Sequence, residues 1–244
     1  MSSAQGRWNI GVVDPASANQ REAVVRLRRQ AYAEANEFMW NDMSTLGWSA
    51  ADDDGVVIGV WGHGDEADHG GITALLSTVR ASVFADAGAA ETFLEHSLHS
   101  VGAAWPAMVL SRAATAPGRH RRGLMALLRC AYLQALTVAQ VRSVLAVVYE
   151  TAPRLNSMRC VGYTLTAPSR SWDSEARALT PPLLAHLSEA HFETALEAAR
   201  KLAGATLPDA VIAQADIEAA FLRSSLRAMA PDVGPAGHQG RPGD

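Results

Sequence analysis

The stretch PGRHRRGLMALLR, Pro117 to Arg129, crowds Arg119, His120, Arg121 and Arg122 in front of Gly123 and an apolar helical run. Helix N-termini carry partial positive charge and unpaired N–H groups, so they favour acids or a bound anion. Cations stacked there repel the helix dipole, by up to ~1 kcal/mol per exposed charge. A bound polyphosphate turns that repulsion into attraction, and the arginine fork matches phosphate oxygens. Gly118 and Gly123 permit a tight turn whose N–H groups share one concavity. The alternative is a solvated cluster of surface arginines. The strand–turn–helix setting around the cluster weighs toward the anion site.

Two other arginines stand out by their surroundings. Arg80 lies in ITALLSTVRASVF and Arg112 in PAMVLSRAAT, both read as largely apolar strands. An unpaired charge in such a strand is costly, so each needs a carboxylate or phosphate partner from the protein or from a substrate. Asp42 and the run Asp52–Asp54 can supply one and would then close an acidic loop over an Arg-lined site. Arg28, on a helix, reads as a solvated charge. Two carboxylates are candidates for a general base. Glu150 ends a strand and is either that base or an acid favoured near the next helix N-terminus. Asp42 is either a base or a turn residue ahead of Ser44. His63 and His69 flank GDEAD in a Gly-rich loop with no metal-ligand spacing, so no metal is expected. Cys130 reads as core packing.

These residues need elements to hold them. Short β-rich runs fall at residues 8–14, 56–62, 72–84, 106–115 and 142–150, and helical periodicity at 19–38, 89–101, 122–139 and 152–160, with Gly162 turning the chain into a further strand. After about residue 170 the strands stop. Residues 181–204 open on Pro-Pro and end on Gly, which predicts one helix, and a second follows over 208–229. The order implies an α/β or α+β layer fold with a helical appendage. The 244 residues suffice for a sizeable core. A net charge of −4 and pI near 6.1 argue against a general nucleic-acid binder. Two cysteines without Cys-x-x-Cys spacing point to a reducing compartment. No secretory signal pattern opens the chain, and no apolar run reaches the roughly 18–20 residues of a membrane span, so the expected location is cytoplasmic.

The frame His120-Arg-Arg-Gly123-Leu-Met125 resembles the Arg/Gln-x-x-Gly-x-Gly/Ala loop of the GNAT acyltransferases, with His120 and Met125 in place of the usual first and last residues. The resemblance extends over roughly residues 8–168. YETAPRLNSMRCVGYTL is similar to the family's fifth strand, short helix and Gly-aromatic pair, with Met158 where many members carry a tyrosine acid. Arg28, Tyr32, Trp40, Asp42, the acidic run 52–54, Arg80 and Val109-Leu-Ser-Arg112 are similar to residues of the N-acyl amino acid and acyl-homoserine lactone synthases, whose Glu is Val109 here. The resemblance implies a mixed central sheet with helices on both faces. With the helical appendage that lies outside it and a tail read as disordered from its composition, the chain is expected to divide into an acyltransferase domain over 1–170, a C-terminal helical extension over 171–228 and a disordered tail over 229–244. The resemblance also implies acyl transfer from an acyl-CoA or acyl-ACP thioester to a small-molecule amine or amino-acid-like acceptor, with no metal. Arg80 and Arg112 would join Glu150 and Asp42 in the catalytic site. Ala113, Ala114 and Thr115 would line the thioester slot, and His120, Arg121, Arg122, Gly123, Leu124 and Met125 would hold the donor's phosphates. An acyl carrier protein is a candidate partner. Loss of the usual acid and base also fits a catalytically inactive acyl-thioester or CoA-binding module. The C-terminal helices either cover an acyl tunnel or pair with a second copy in a homodimer.

Overall fold

The alternation of β-rich and helical runs builds one mixed sheet in the computed structural model. It describes residues 8–35, 46–62, 74–95, 97–116, 121–148, 152–167, 183–204 and 208–230, and of 34, 35, 121, 122 and 152–154 the backbone alone. The strands are β1 (Trp8–Val12), β2 (Val56–Gly62), β3 (Ala74–Phe84), β4 (Ala107–Thr115), β5 (Ser143–Val148), β6 (Thr164–Thr166), β7 (Leu183–Ser188) and β8 (Ala210–Ile212). They lie in the order β6-β7-β5-β4-β3-β2-β1-β8. The β4–β5 and β1–β8 pairs are parallel and the other pairs antiparallel.

Helices cover both faces: α1 (Ala18–Ala35), α2 (Ala50–Asp54), α3 (Ala87–Leu94), α4 (Arg121–Ala135), α5 (Ala152–Cys160), α6 (Phe192–Ala203) and α7 (Gln214–Met229). The strand period of two decides which residue meets which layer. Val79, Ala81 and Val83 of β3, with Met108 and Leu110 of β4, pack on Leu124, Leu127 and Leu128 of α4 and on Phe221 of α7. On the other face Val109 and Leu145 meet Ala90 of α3, and Leu27 and Ala31 of α1 meet Ala114. Helix α4 also packs on α6 and α7, which is why it is apolar nearly all round. Truncating a fully buried residue there, such as Leu127, costs about 2–5 kcal/mol.

The expectation that strands stop after residue 170 is corrected. Leu183–Ser188 forms β7, inserted between β5 and β6, and the helix expected over 181–204 is confined to Phe192–Ala203 after a turn of 3₁₀ helix. LLAHLS is made of good helix formers, but its Leu184, Ala185 and Leu187 are buried inside the sheet, and that burial overrides the local preference. The second C-terminal helix begins at Gln214, because Ala210–Ile212 adds β8 beside β1. The acidic run Asp52–Asp54, expected in a loop, lies in α2. The tail beyond Ala230 lies outside the described residues.

Candidate functional site

The parallel strands β4 and β5 pair only through Ala107–Leu110 and Ser143–Ala146. Beyond that point β5 runs on to Val148 beside β7, and β4 runs on to Thr115 beside β3. The two strands part like a wedge. Ser111–Thr115 lies past the last residue pair that β4 shares with β5. The backbone N–H and C=O groups of a strand that leaves its neighbour turn to other partners. The wedge opens at the C-terminal ends of both strands, the usual place for ligands in sheets of this kind. Strand β4 leads there into α4, and β5 into α5.

A bulge lies on the wedge. Thr78 pairs with Ala114 and Arg80 with Ser111, so Arg112 and Ala113 together oppose Val79. Arg112 has φ 53°, in the left-handed region that a side chain disfavours. Ala113 is half-buried, while Ala114 and Thr115 are buried. The Thr115 hydroxyl lies 2.8 Å from that of Ser77, which ties the end of β4 to β3. The slot residues expected from sequence therefore lie together on the open edge.

The arginines find the partner that their surroundings demand. Asp52 Oδ1 and Oδ2 accept from Arg28 Nη2 at 2.6 Å and Nη1 at 3.1 Å. Arg80 Nη1 stands 3.7 Å from the same carboxylate, its Nε donates to Ser111 Oγ at 2.9 Å, and its guanidinium lies 5.1 Å from the Phe93 ring centre. The reading of Arg28 as a solvated charge is corrected: it is fully buried, and the pairing carboxylate is Asp52. Among the described residues Arg28 Nε has no hydrogen-bond partner, which costs about 1–3 kcal/mol. Burial pushes the Asp52 carboxyl up, but the Arg28 hydrogen bonds and charge, the Arg80 charge and the Ser49 amide outweigh it, so its pKa lies below 3.8. Burial pushes Arg80 down. Asp52 opposes that, while Arg112 and Arg28 add to it, and the result is about 10, which leaves Arg80 cationic at neutral pH. Arg112 is also lowered, chiefly by burial.

At the head of α4, Gly123 and Leu124 are buried and Met125 half-buried. The helix backbone starts at Arg121, so the arginine run does open the helix. The side chains of Arg121 and Arg122 lie outside the described residues, as do His120, Asp42, Glu150 and the loop holding His63 and His69. Among the described residues no group of three His, Cys, Asp or Glu side chains is placed to hold a metal ion. Cys130 is buried, as expected for packing, and burial pushes its thiol up to about 11. Val109, where the resembling synthases carry Glu, is fully buried among apolar neighbours. No helix of the described residues is long and apolar enough to cross a membrane.

Sequence reasoning missed one polar cluster. Arg129 of α4 is 5% exposed. Its Nη1 donates to Ser157 Oγ at 2.5 Å, and its Nη2 lies 3.4 Å from Met158 Sδ. Near it the Tyr132 hydroxyl is 2.9 Å from that of Tyr163. Burial raises both phenols, Tyr163 well above its ordinary value, so both stay neutral. The signal was present: one charged residue inside the apolar run LMALLRCAYL.

No family model matches this sequence, and no curated protein matches it either. Solved structures do. The chain is similar to FeeM, an N-acyl amino acid synthase from uncultured soil microbes, at 12% identity and a TM-score of 0.50, over 80% of this chain and 99% of that one. It is similar to BjaI, a CoA-dependent acyl-homoserine lactone synthase solved with SAM and isopentyl-CoA, at 15% identity and a TM-score of 0.54, over 91% of this chain and 99% of that one. The fold is that of the GNAT acyltransferases, a mixed α/β sheet covered by helices.

Proposed function

We propose that the protein is an acyltransferase that moves an acyl group from a phosphopantetheine thioester to an amine. The observation that carries this reading is the wedge between β4 and β5, opening directly at the arginine-led N-terminus of α4. A pantetheine arm is narrow, extended and amide-bearing, and fits alongside Ala113–Thr115, past the end of the β4–β5 pairing. An edge N–H beside the bulge polarises the thioester carbonyl in the manner of an oxyanion hole. The amide nest and side chains of residues 120–125 take the donor's phosphate.

The amine must be neutral to attack, so a base takes its proton. Glu150 and Asp42 are the candidates. Arg80 and Arg112 border the wedge and orient the acceptor or the carbonyl. Both acyl-CoA and acyl carrier protein deliver the same phosphopantetheine thioester, and likeness to the CoA-dependent BjaI supports the first of them. The amine acceptor is amino-acid-like, in keeping with the likeness to FeeM. The protein works in the cytoplasm, where such donors are made.

The buried Val109 supports a second reading, a module that binds the thioester without turning it over, since no carboxylate can act from that position. One experiment separates the two. Purified protein is mixed with acyl-CoA or acyl carrier protein of several chain lengths and a panel of amino acids, and thiol release is followed. Amine-dependent release supports the enzyme. Thermal stabilisation by CoA without release selects the binding module.

A further inference from the structure

Helix α7 is apolar on two opposite sides. Its inner side, with Ile217, Ala220, Phe221, Ser224 and Ser225, is buried against the sheet and α4. Its outer side carries Ala215, Ala219, Leu222, Leu226 and Met229, all exposed, with Leu226 keeping 57% of its surface. A surface helix normally turns a polar face to water, and one that is apolar all round is covered all round. We propose that this outer side is the contact between two copies of the chain, whose α7 helices run antiparallel across a twofold axis level with the step from Ala220 to Phe221.

The spacing suits a helix partner. The outer apolar residues recur in alternating steps of four and three, the seam along which two helices interlock. The seam also has a polarity, which selects the direction of pairing. Its first half is small, Ala215 and Ala219, and its second half large, Leu222 and Leu226. A parallel pair would set Ala on Ala and Leu on Leu. The antiparallel pair sets Ala215 level with the partner's Leu226 and Ala219 level with the partner's Leu222. Each large side chain then fills the space over a small one.

The charges follow the same rule. Asp216 and Arg223 come directly after Ala215 and Leu222, so both border the seam on one flank. In the antiparallel pair Asp216 stands within about 3 Å, along the helix axis, of the partner's Arg223. The twofold axis repeats the contact with the roles exchanged, as a self-complementary patch requires. Parallel helices would set Asp against Asp and Arg against Arg. Arg227 is already turned toward Asp54 of α2, 4.0 Å away.

Other occupants fit less well. Asp216 and Glu218 oppose an anionic membrane or an acidic carrier protein. The C-terminal half of α7 also lies far from the wedge. Arg227 and Ala228 share a cleft with Val83 and Phe84, and Phe84 pairs with Ala107 at the start of β4, whereas the wedge opens past Leu110. The proposal does not depend on the acyl-transfer reading. A helix of 16 residues is about 24 Å long, and one such pair is a small interface, so the dimer forms reversibly.

The test is sedimentation velocity of the full chain. Wild type should pass from monomer toward dimer between about 1 µM and about 500 µM. Leu226→Arg should remain monomeric throughout with unchanged thermal stability. Asp216→Arg and Arg223→Asp should each weaken self-association roughly tenfold or more, because each sets like charges together at both symmetric contacts. Mixed in equal amounts, these two variants should dimerise with one another, since one carries Arg and the other Asp at the facing positions. Wild type that stays monomeric, or a dimer indifferent to Leu226→Arg, overturns the proposal. Failure of the two charge variants to pair overturns the antiparallel contact. Monomeric wild type that binds phosphatidylglycerol vesicles or holo-acyl carrier protein, with the binding lost in Leu226→Arg, would give the face to that occupant and also overturn it.

Discussion

Arg28 and Arg129 are both buried arginines on helices against the central sheet, yet they are answered differently. Arg28 grips a carboxylate with two nitrogens, and that carboxylate is also shared with Arg80 and the Ser49 amide. Among the described residues the side-chain contacts of Arg129 go to a hydroxyl and a thioether. A charge closed into a network with a carboxylate holds structure together. Among the described residues, the Arg129 guanidinium is held by neutral, polarisable groups, so the two sites differ in what their loss leaves behind.

The sharpest way to break the contrast is to remove Asp52. Asp52→Ala strips the counter-charge from Arg28 and leaves it buried, which should destabilise the fold by about 3–5 kcal/mol in denaturant titration. A loss under 1 kcal/mol would show that the network is ornamental. Arg129→Met should move stability the opposite way, from neutral to a gain of about 1–4 kcal/mol, since among the described residues no buried partner charge is orphaned. A loss as large as that of Asp52→Ala would place Arg129 in the framework as well. Tyr163→Phe removes one hydroxyl of the Tyr132 pair and should cost about 1 kcal/mol of stability.

Acid sharpens the same comparison. The Asp52 pKa is depressed in the folded state, so its contribution is complete above 3.8 and is lost as pH falls through the folded value. The wild type should therefore lose stability below pH 3.8 by this route, whereas Asp52→Asn, already lacking the charge, should show a flatter profile there. Parallel profiles would mean that other carboxylates govern acid unfolding.

Much of this was legible from residue types. The apolar strand around Arg80 announced that its charge needed an answer, and the acidic run supplied it. The unit from 106 to 148 was readable because β-branched runs and a helical period alternate cleanly there. Arg28 was not readable as buried, because a helix in sequence does not disclose which neighbour will reach over its polar side. Only the return of Asp52, 24 residues on, closes it. Strand β7 was hidden for the opposite reason. Leu and Ala favour helices, and only the slot between β5 and β6 makes LLAHLS extend. Arg129 was visible as a charge in an apolar run, but its meaning depended on Ser157 from another helix, a contact that no periodicity encodes.

The account turns on a donor phosphate seated where the wedge meets the head of α4. The most direct measurement is the affinity of CoA, by calorimetry, for wild type and for Arg121→Ala/Arg122→Ala with unchanged thermal stability. Loss of two charge-assisted bonds predicts affinity weakened by roughly 100-fold or more. Equal affinity in the two proteins would contradict the account.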